Sequence, residues 1–445
     1  MPHIITVYDI IIIGFIDVFL LYSIIKKWQV HMRDVSQDRI KLPIEVLINR
    51  AIHDYSDIDT SYFKKIRKVS YIKKIWNERK IKTLSEKLIK DLDPYKANLQ
   101  QNLNSNADFR SPEVEKVKCI VTDFLLEADM RKLFFNKPFL EFFLEQGYLK
   151  VAEEFISRAK KEESQLETQE IFQALRNVWI MNSLQISYDL PLELTPSIYA
   201  YSMLYPYTDN FLDNPEVPVD DKIHFNVRLT KVLEGEKLAP NNFMEEKVFS
   251  LINQIESQYN RDVYPEVYDS LMLIQKAQVE SMKQDGNESL TCEKILPISF
   301  FKGGTSVLAD AFLVKGKLNI NEMHFAFAYG AFLQLLDDLQ DAKADKNENH
   351  QTLFSVKNDN DLIDDEVRQL VSYILKVNSP EEADTKIMLL MKDVISTCTL
   401  TMVMDAAGRN SKQISHKLYK EMESCSNVRL PFYQEYEKKI KAFYT

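Results

Sequence analysis

Between Gly330 and Asp345 the chain reads Gly-Ala-Phe-Leu-Gln-Leu-Leu-Asp-Asp-Leu-Gln-Asp-Ala-Lys-Ala-Asp. Four carboxylates, Asp337, Asp338, Asp341 and Asp345, stand in this stretch. At ~100° per residue, Gln334, Asp338, Asp341 and Asp345 share one face of a helix. Asp337, Asp341 and Asp345 also form an i, i+4, i+8 ladder. Phe332, Leu335, Leu336 and Leu339 take the other side. Like charges at i, i+4 repel by a few tenths of a kcal/mol each in water and by far more when desolvated. A hard divalent cation removes the problem. Mg²⁺ prefers oxygen ligands and is usually held by one or two carboxylates plus substrate phosphates. The chemistry on offer is a Mg²⁺–diphosphate platform. The plainer alternative is a solvated acidic helix face, against which stands the aromatic-rich apolar segment leading into the stripe.

A second acidic pair, Asp209 and Asp213 in Thr-Asp-Asn-Phe-Leu-Asp-Asn-Pro, has i, i+4 spacing and faces one way on a helical turn. Pro215 ends that helix just afterwards. If the two acidic helices face each other across a bundle, their carboxylates converge on one cavity. The metals that neutralise both rims would also stabilise a leaving diphosphate. A carbocation left behind needs a dry pocket with aromatic faces, and 25 Phe and 21 Tyr are compatible with one. Lys302-Gly303-Gly304 reads as a helix break whose exposed backbone N–H groups, beside Lys302, suit phosphate oxygens; an ordinary loop is the alternative.

The elements that must position these residues are helices. The chain has 445 residues but only 9 glycines and few turn clusters, which argues for long helices over many short strands. Apolar residues recur at three- and four-residue spacing from Pro112 onward, as in Val117, Ile120, Val121 and Phe124. Helices are expected over 243–259, 263–282, 361–378 and 384–407. Asn319 or Asn321 caps the helix carrying the acidic stretch, Lys315-Gly316-Lys317 closes the helix before it, and 346–352 reads as a polar loop. Residues 91–112, with Asp-Pro, Asn-Leu-Asn-Ser-Asn and Ser-Pro, read as a linker.

Composition narrows the function. With 56 basic and 66 acidic residues the net charge is −10, which disfavours nucleic-acid binding. Cys119, Cys292, Cys398 and Cys425 form no CxxC and read as reduced thiols of a cytoplasmic protein. There is no HExxH, Walker loop or GxGxxG. Residues 4–25 are strongly apolar, but Asp9 and Asp17 interrupt them. A central Asp costs roughly 2.5–3.5 kcal/mol on membrane insertion, so a surface anchor and a buried helix both stay open. Residues 61–90 hold 11 Lys/Arg against Glu78 and Glu86 and read as a basic amphipathic helix, suited to an anionic membrane surface or to solvent.

The run Phe332-Leu-Gln-Leu-Leu-Asp-Asp-Leu-Gln-Asp341 resembles the second aspartate-rich motif of class I isoprenoid synthases. Asp209-Asn-Phe-Leu-Asp213 resembles their first DDxxD motif in degenerate form, with Asn210 at the usual second Asp. With Lys-Gly-Gly-Thr-Ser-Val-Leu-Ala-Asp at 302–310 and Thr-Leu-Phe-Ser at 352–355, the chain is most similar to large bacterial terpene synthases of the tetraprenyl-β-curcumene synthase type. The resemblance covers roughly 110–445. It implies an all-α isoprenoid-synthase bundle with a central cavity, over residues 111–445. Residues 31–110 would then be a basic helical extension and linker, and 1–30 an apolar segment that could anchor the chain. It implies Mg²⁺ and a prenyl diphosphate substrate, ionised to give a terpene by cyclisation or elimination. By position, Asp209 and Asp213 would bind metal at one rim, and Asp337, Asp338 and Asp341 at the other, with Asp345 a further ligand. Catalysis would rest on Asp209, Asp213 and Asp338, and substrate contacts on Lys302, Arg228 and Gln334. Chain-elongating members follow the first motif with an Arg-Arg pair, whose paired guanidinium forks suit a second diphosphate. No Arg-Arg occurs in this chain, which favours a synthase over a prenyltransferase or head-to-head synthase. A non-catalytic, cation-binding helical protein at a membrane surface is the reading from another class.

Overall fold

The computed structural model describes residues 41–95, 112–163, 166–213, 216–285, 289–358 and 361–444. Among these the chain is all-helical, with no strand. The helices in order are α1 (Ile44–Ser56), α2 (Tyr71–Leu92), α3 (Pro112–Met130), α4 (Leu140–Gln146), α5 (Tyr148–Glu162) and α6 (Thr168–Ser187). Then come α7 (Pro196–Asp213), α8 (Val219–Leu233), α9 (Phe243–Gln258), α10 (Pro265–Ser281) and α11 (Cys292–Lys315). The last five are α12 (Ile320–Glu348), α13 (Asp364–Val377), α14 (Lys386–Arg409), α15 (His416–Cys425) and α16 (Leu430–Tyr444). The apolar stretch 4–25 lies outside the described residues.

Local chemistry sets the ends of these helices. Ser70, Asn242, Thr385 and Ser415 each accept a backbone N–H with the side chain at an N-cap. Asn319 starts α12 with a reciprocal capping box to Glu322. Gly316, at φ 80°, closes α11. α12 runs on to Glu348 before Asn349 turns the chain at φ 57°, so its last turn occupies ground expected to be loop. The basic segment is helical only from Tyr71; before it lies a 3-10 turn over Thr60–Lys65. Val69 N–H donates to the Ser424 carbonyl at 2.7 Å, and that bond holds the intervening chain extended.

The core is organised around α11 and α12, which lie against one another over much of their length. α11 also packs on α1, α6, α7 and α10, and α12 on α1, α13 and α14. The Gly303-Gly304 pair is not a helix break: both residues sit buried inside α11. A Cβ on Gly303 would lie 2.4 Å from the Gly330 carbonyl oxygen, and one on Gly330 2.0 Å from that of Gly303. The glycines therefore let two helix backbones touch. Their N–H groups are spent within the helix and offer nothing to a phosphate.

α1 and the turn after it enter this main core through Leu47, Ala51, Tyr55 and Phe63. A second, smaller core joins α2, α3 and α16 through Ile81, Leu88, Val121, Phe124 and Phe432. The segment before the linker is thus divided between both cores. Among the described residues α14 alone is long and apolar enough to cross a membrane. It packs on α6, α12, α13, α15 and α16, the position of a core helix.

Candidate functional site

α12 places its acidic stretch beside the middle of α11. Asp337 and Asp338 are buried, and Asp341 and Asp345 only partly so. Asp338 is held at both oxygens: Gln334 Nε2 donates to Oδ1 at 2.8 Å and Ser299 Oγ to Oδ2 at 3.1 Å. Asp337 Oδ1 is buried with no hydrogen-bond partner. Lys302, one turn beyond Ser299 on α11, is also buried.

Burial raises all three of Asp337, Asp338 and Asp345 above the usual carboxylate range. For Asp337 the neighbouring Asp341 and Asp338 add to the rise. Asp345 is pushed up to about 7, by burial first and by Asp338 next. Lys302 pulls all three back down, and His350 does so for Asp338 and Asp345. Four carboxylates thus crowd one site, with Lys302 as the opposing charge and His350 beside them. Burial together with like-charge crowding makes this cluster a candidate functional site.

His350, Asp285 and Ser299 carry no motif, and sequence reasoning missed them. His350 arrives by a backbone turn. Its N–H bonds the Asp345 carbonyl at 2.8 Å, after the left-handed Asn349. Its Nδ1 lies 2.7 Å from Asp285 Oδ1. With the carboxylate as acceptor, Nδ1 carries the proton and Nε2 is the basic nitrogen. The loop is tied down on both sides. Gln351 N–H donates to the Gln284 carbonyl and Gln284 Nε2 to the Gln351 carbonyl, each at 2.9 Å. Leu290 N–H donates to Gln351 Oε1 at 2.7 Å. In the buried Thr352–Ser355 turn each hydroxyl accepts the other residue's N–H. The only signal in the sequence was the Thr-Leu-Phe-Ser run, which anchors the loop.

Asp209 and Asp213 lie in the last turns of α7, so their i, i+4 spacing is helical as expected. Their side chains are outside the described residues. α7 packs on α6, α9 and α11, so both acidic segments ride on helices that neighbour α11. Arg228, on α8, is committed elsewhere. Its Nε and Nη2 donate to Glu245 at 2.8 and 3.0 Å, and Nη2 also to the Ala239 carbonyl. Glu245 is buried, which makes this a joint between α8 and α9.

The residues present suit a hard cation: oxygen donors, one of them an orphaned buried oxygen on Asp337. Among the described residues no three His, Cys, Asp or Glu side chains close around a single ion. Mg²⁺ needs no such cage, since water and substrate phosphate complete its shell. A cleft of about 430 Å³ opens at the other end of α12, lined by Arg50, Asp54, His324, Phe325, Tyr373 and Lys376 among others. None of the six aspartates lines it. His324 and Asp338 are ~21 Å apart along the helix at ~1.5 Å per residue. No protein-family model, curated protein or solved structure matches the chain.

Proposed function

We propose that this chain is a Mg²⁺-dependent class I terpene synthase, which ionises an allylic prenyl diphosphate and releases a cyclised or eliminated terpene. The observation that carries the reading is the Asp337–Asp338–Asp341–Asp345 cluster, buried at its first two members, with an orphaned oxygen on Asp337 and a buried Lys302 nearby. A carboxylate group this desolvated either keeps protons or takes up cations, and an incoming diphosphate with its metals supplies the cations. Bound Mg²⁺ would stabilise the charge that develops on a departing diphosphate. Gln334 and Ser299 fix the orientation of Asp338. Lys302 places a fixed positive charge beside the carboxylates. Cleavage of the C–O bond leaves an allylic cation, and a neutral alkene then requires loss of one proton. We assign that proton to a neutral His350, whose Nε2 is left as acceptor when Nδ1 donates to Asp285. The absence of an Arg-Arg pair, and the engagement of Arg228 by Glu245, favour one bound diphosphate over two.

The test supplies allylic prenyl diphosphates of increasing chain length, with and without Mg²⁺, and follows diphosphate release and products by mass spectrometry. Mg²⁺-dependent release of a hydrocarbon or alcohol is the expected result. Label from isopentenyl diphosphate appearing in a longer prenyl diphosphate would replace this reading with a prenyltransferase. No release from any substrate would leave a non-catalytic cation-binding protein.

A further inference from the structure

We propose that the start of α2 and the turn before it form a docking surface for an anionic lipid bilayer. α2 is amphipathic in an unusual way. Its inward face carries Asn77, Ile81, Leu84, Ser85, Leu88 and Leu92, all buried. The opposite face should be polar, yet Ile72 and Trp76 stand on it, four residues apart. Ile72 is 82% exposed, Tyr71 61% and Trp76 42%. Other large apolar side chains left in water, such as Val46, Met130 and Val263, are scattered singly along the chain, as on any surface. Here three fall within six residues.

Cations surround them. Between Thr60 and Asn77 the sequence has six Lys/Arg and no Asp or Glu, in a chain whose net charge is −10. Lys64, Lys65, Arg67, Lys68 and Lys73 are all exposed. Lys73 Nζ stands 4.0 Å from the centre of the Trp76 ring and Lys80 Nζ 5.6 Å. Of the acids nearest in sequence, Asp59 binds the N–H and hydroxyl of Ser61 and Glu78 is buried under Arg429; Glu423, beside the Val69–Ser424 bond, faces the buried Lys74. The patch is rigidly presented, because Val69 is bonded to Ser424 and Ser70 caps α2. Aromatic rings at headgroup depth, one inserted aliphatic chain and a ring of Lys/Arg are what an anionic membrane surface selects. A polynucleotide would engage the cations but leave Ile72 in water. An acidic protein would pair with the cations but gives no role to Ile72, the most exposed of the apolar side chains here.

The test uses the full chain and vesicles of phosphatidylcholine, alone or mixed with phosphatidylserine, in a flotation assay. Trp28→Phe is the background, which leaves Trp76 and the buried Trp179. The expected result is binding to the anionic vesicles only, with Trp76 emission quenched by brominated lipid. Each neutralised charge should cost roughly fivefold in partitioning, so Arg67→Gln with Lys68→Gln should cost roughly 25-fold, and Ile72→Ser should weaken binding further. These residues are exposed and the far-ultraviolet circular dichroism should not change. Vesicle binding that survives all these variants would mean that the apolar residues 4–25 carry it, and would overturn the proposal. So would bound protein whose Trp76 stays unquenched, the outcome if another part of the chain covers this face. Tighter binding to a polynucleotide than to the anionic vesicles would overturn it too.

Discussion

Asp338 keeps both carboxyl oxygens occupied, by Gln334 and Ser299, while Asp337 beside it leaves Oδ1 without a partner. The two residues therefore answer different tests. Asp338→Asn should lower diphosphate release by about 10²-fold, the usual cost of losing one preorganised charge contact at a reacting centre. The fold should survive, since Asn can keep the contact from Ser299. Asp209→Asn should do the same at the other acidic segment, and full turnover in EDTA would sink the whole reading. A different buried acid reports on stability alone. Asp310, inside α11, has both oxygens buried without a hydrogen-bond partner, and burial pushes it up to about 8, with Asn177 alone easing it. The folded chain keeps a proton that the unfolded chain releases near pH 4. Its contribution is therefore present below about pH 4 and is lost as pH rises to about 8, by at most about 1.4 kcal/mol per pH unit. In urea titrations across that range, Asp310→Asn should flatten the slope and gain most at the alkaline end. An unchanged slope would place the proton elsewhere.

At the scale of elements, the sequence and the structure agree where periodicity governs and part where backbones meet. The expected helices at 243–259 and 263–282 are found as α9 and α10, because their apolar spacing and their starts at Asn242 and Pro265 agree. The Gly303-Gly304 pair misleads, because adjacent glycines signal flexibility when read along the chain. Their reasons lie on the facing helix, the Gly330 backbone against Gly303 and the Phe327 ring against Gly304, and no local pattern records them. Gly330→Ala should destabilise by about 1–3 kcal/mol or more, since the new methyl would meet backbone that cannot give way. Gly147→Ala, with nothing within 4 Å of the new carbon, should lose only what its φ of 93° costs an L-residue. Equal losses in denaturant unfolding would refute the contact argument. His350 was hidden for a related reason. α12 runs one turn past the apparent start of the loop, so the histidine returns to the acidic cluster by a turn that only Asn349 hints at. At the acidic stretch the carboxylate spacing was legible, whereas Lys302 was expected at a helix break and lies buried inside α11. The ties of Asp338 to Ser299 and of His350 to Asp285 were not legible, because each spans dozens of residues.

For the whole molecule, the second core is the informative part. It draws α2 and α3 from early in the chain and Val428 and Phe432 from its end. Arg429 seals it. The guanidinium grips Glu78 at 2.6 to 3.0 Å, and the Arg429 N–H adds a bond at 2.8 Å. Arg429→Met would strand a buried carboxylate. A loss on the order of 3 kcal/mol is expected, at the low end of such losses because the guanidinium keeps some contact with water. Glu78→Gln should recover part of it in the double variant; a purely additive result would show that the pair is uncoupled. Of the linker expected from 91–112, residues 96–111 lie outside the described residues, and the helices on either side, α2 and α3, pack on one another.

That seal spans 351 positions of sequence. On a chain still being synthesised, α2 and α3 emerge hundreds of residues before Phe432 and Arg429, and for that interval their apolar faces have only each other. Assembly of this corner must come late in folding, because its closing contact cannot form until residues 429–432 have been made. A chain stopped at Ser426 would carry every residue of the acidic cluster and still lack the piece that covers Ile81, Leu88 and Val121. Its weakness would be the cell's quality control, not its chemistry. Such a truncation should accumulate poorly in cells and be cut by protease first near α2, at the opposite end of the sequence from the deletion.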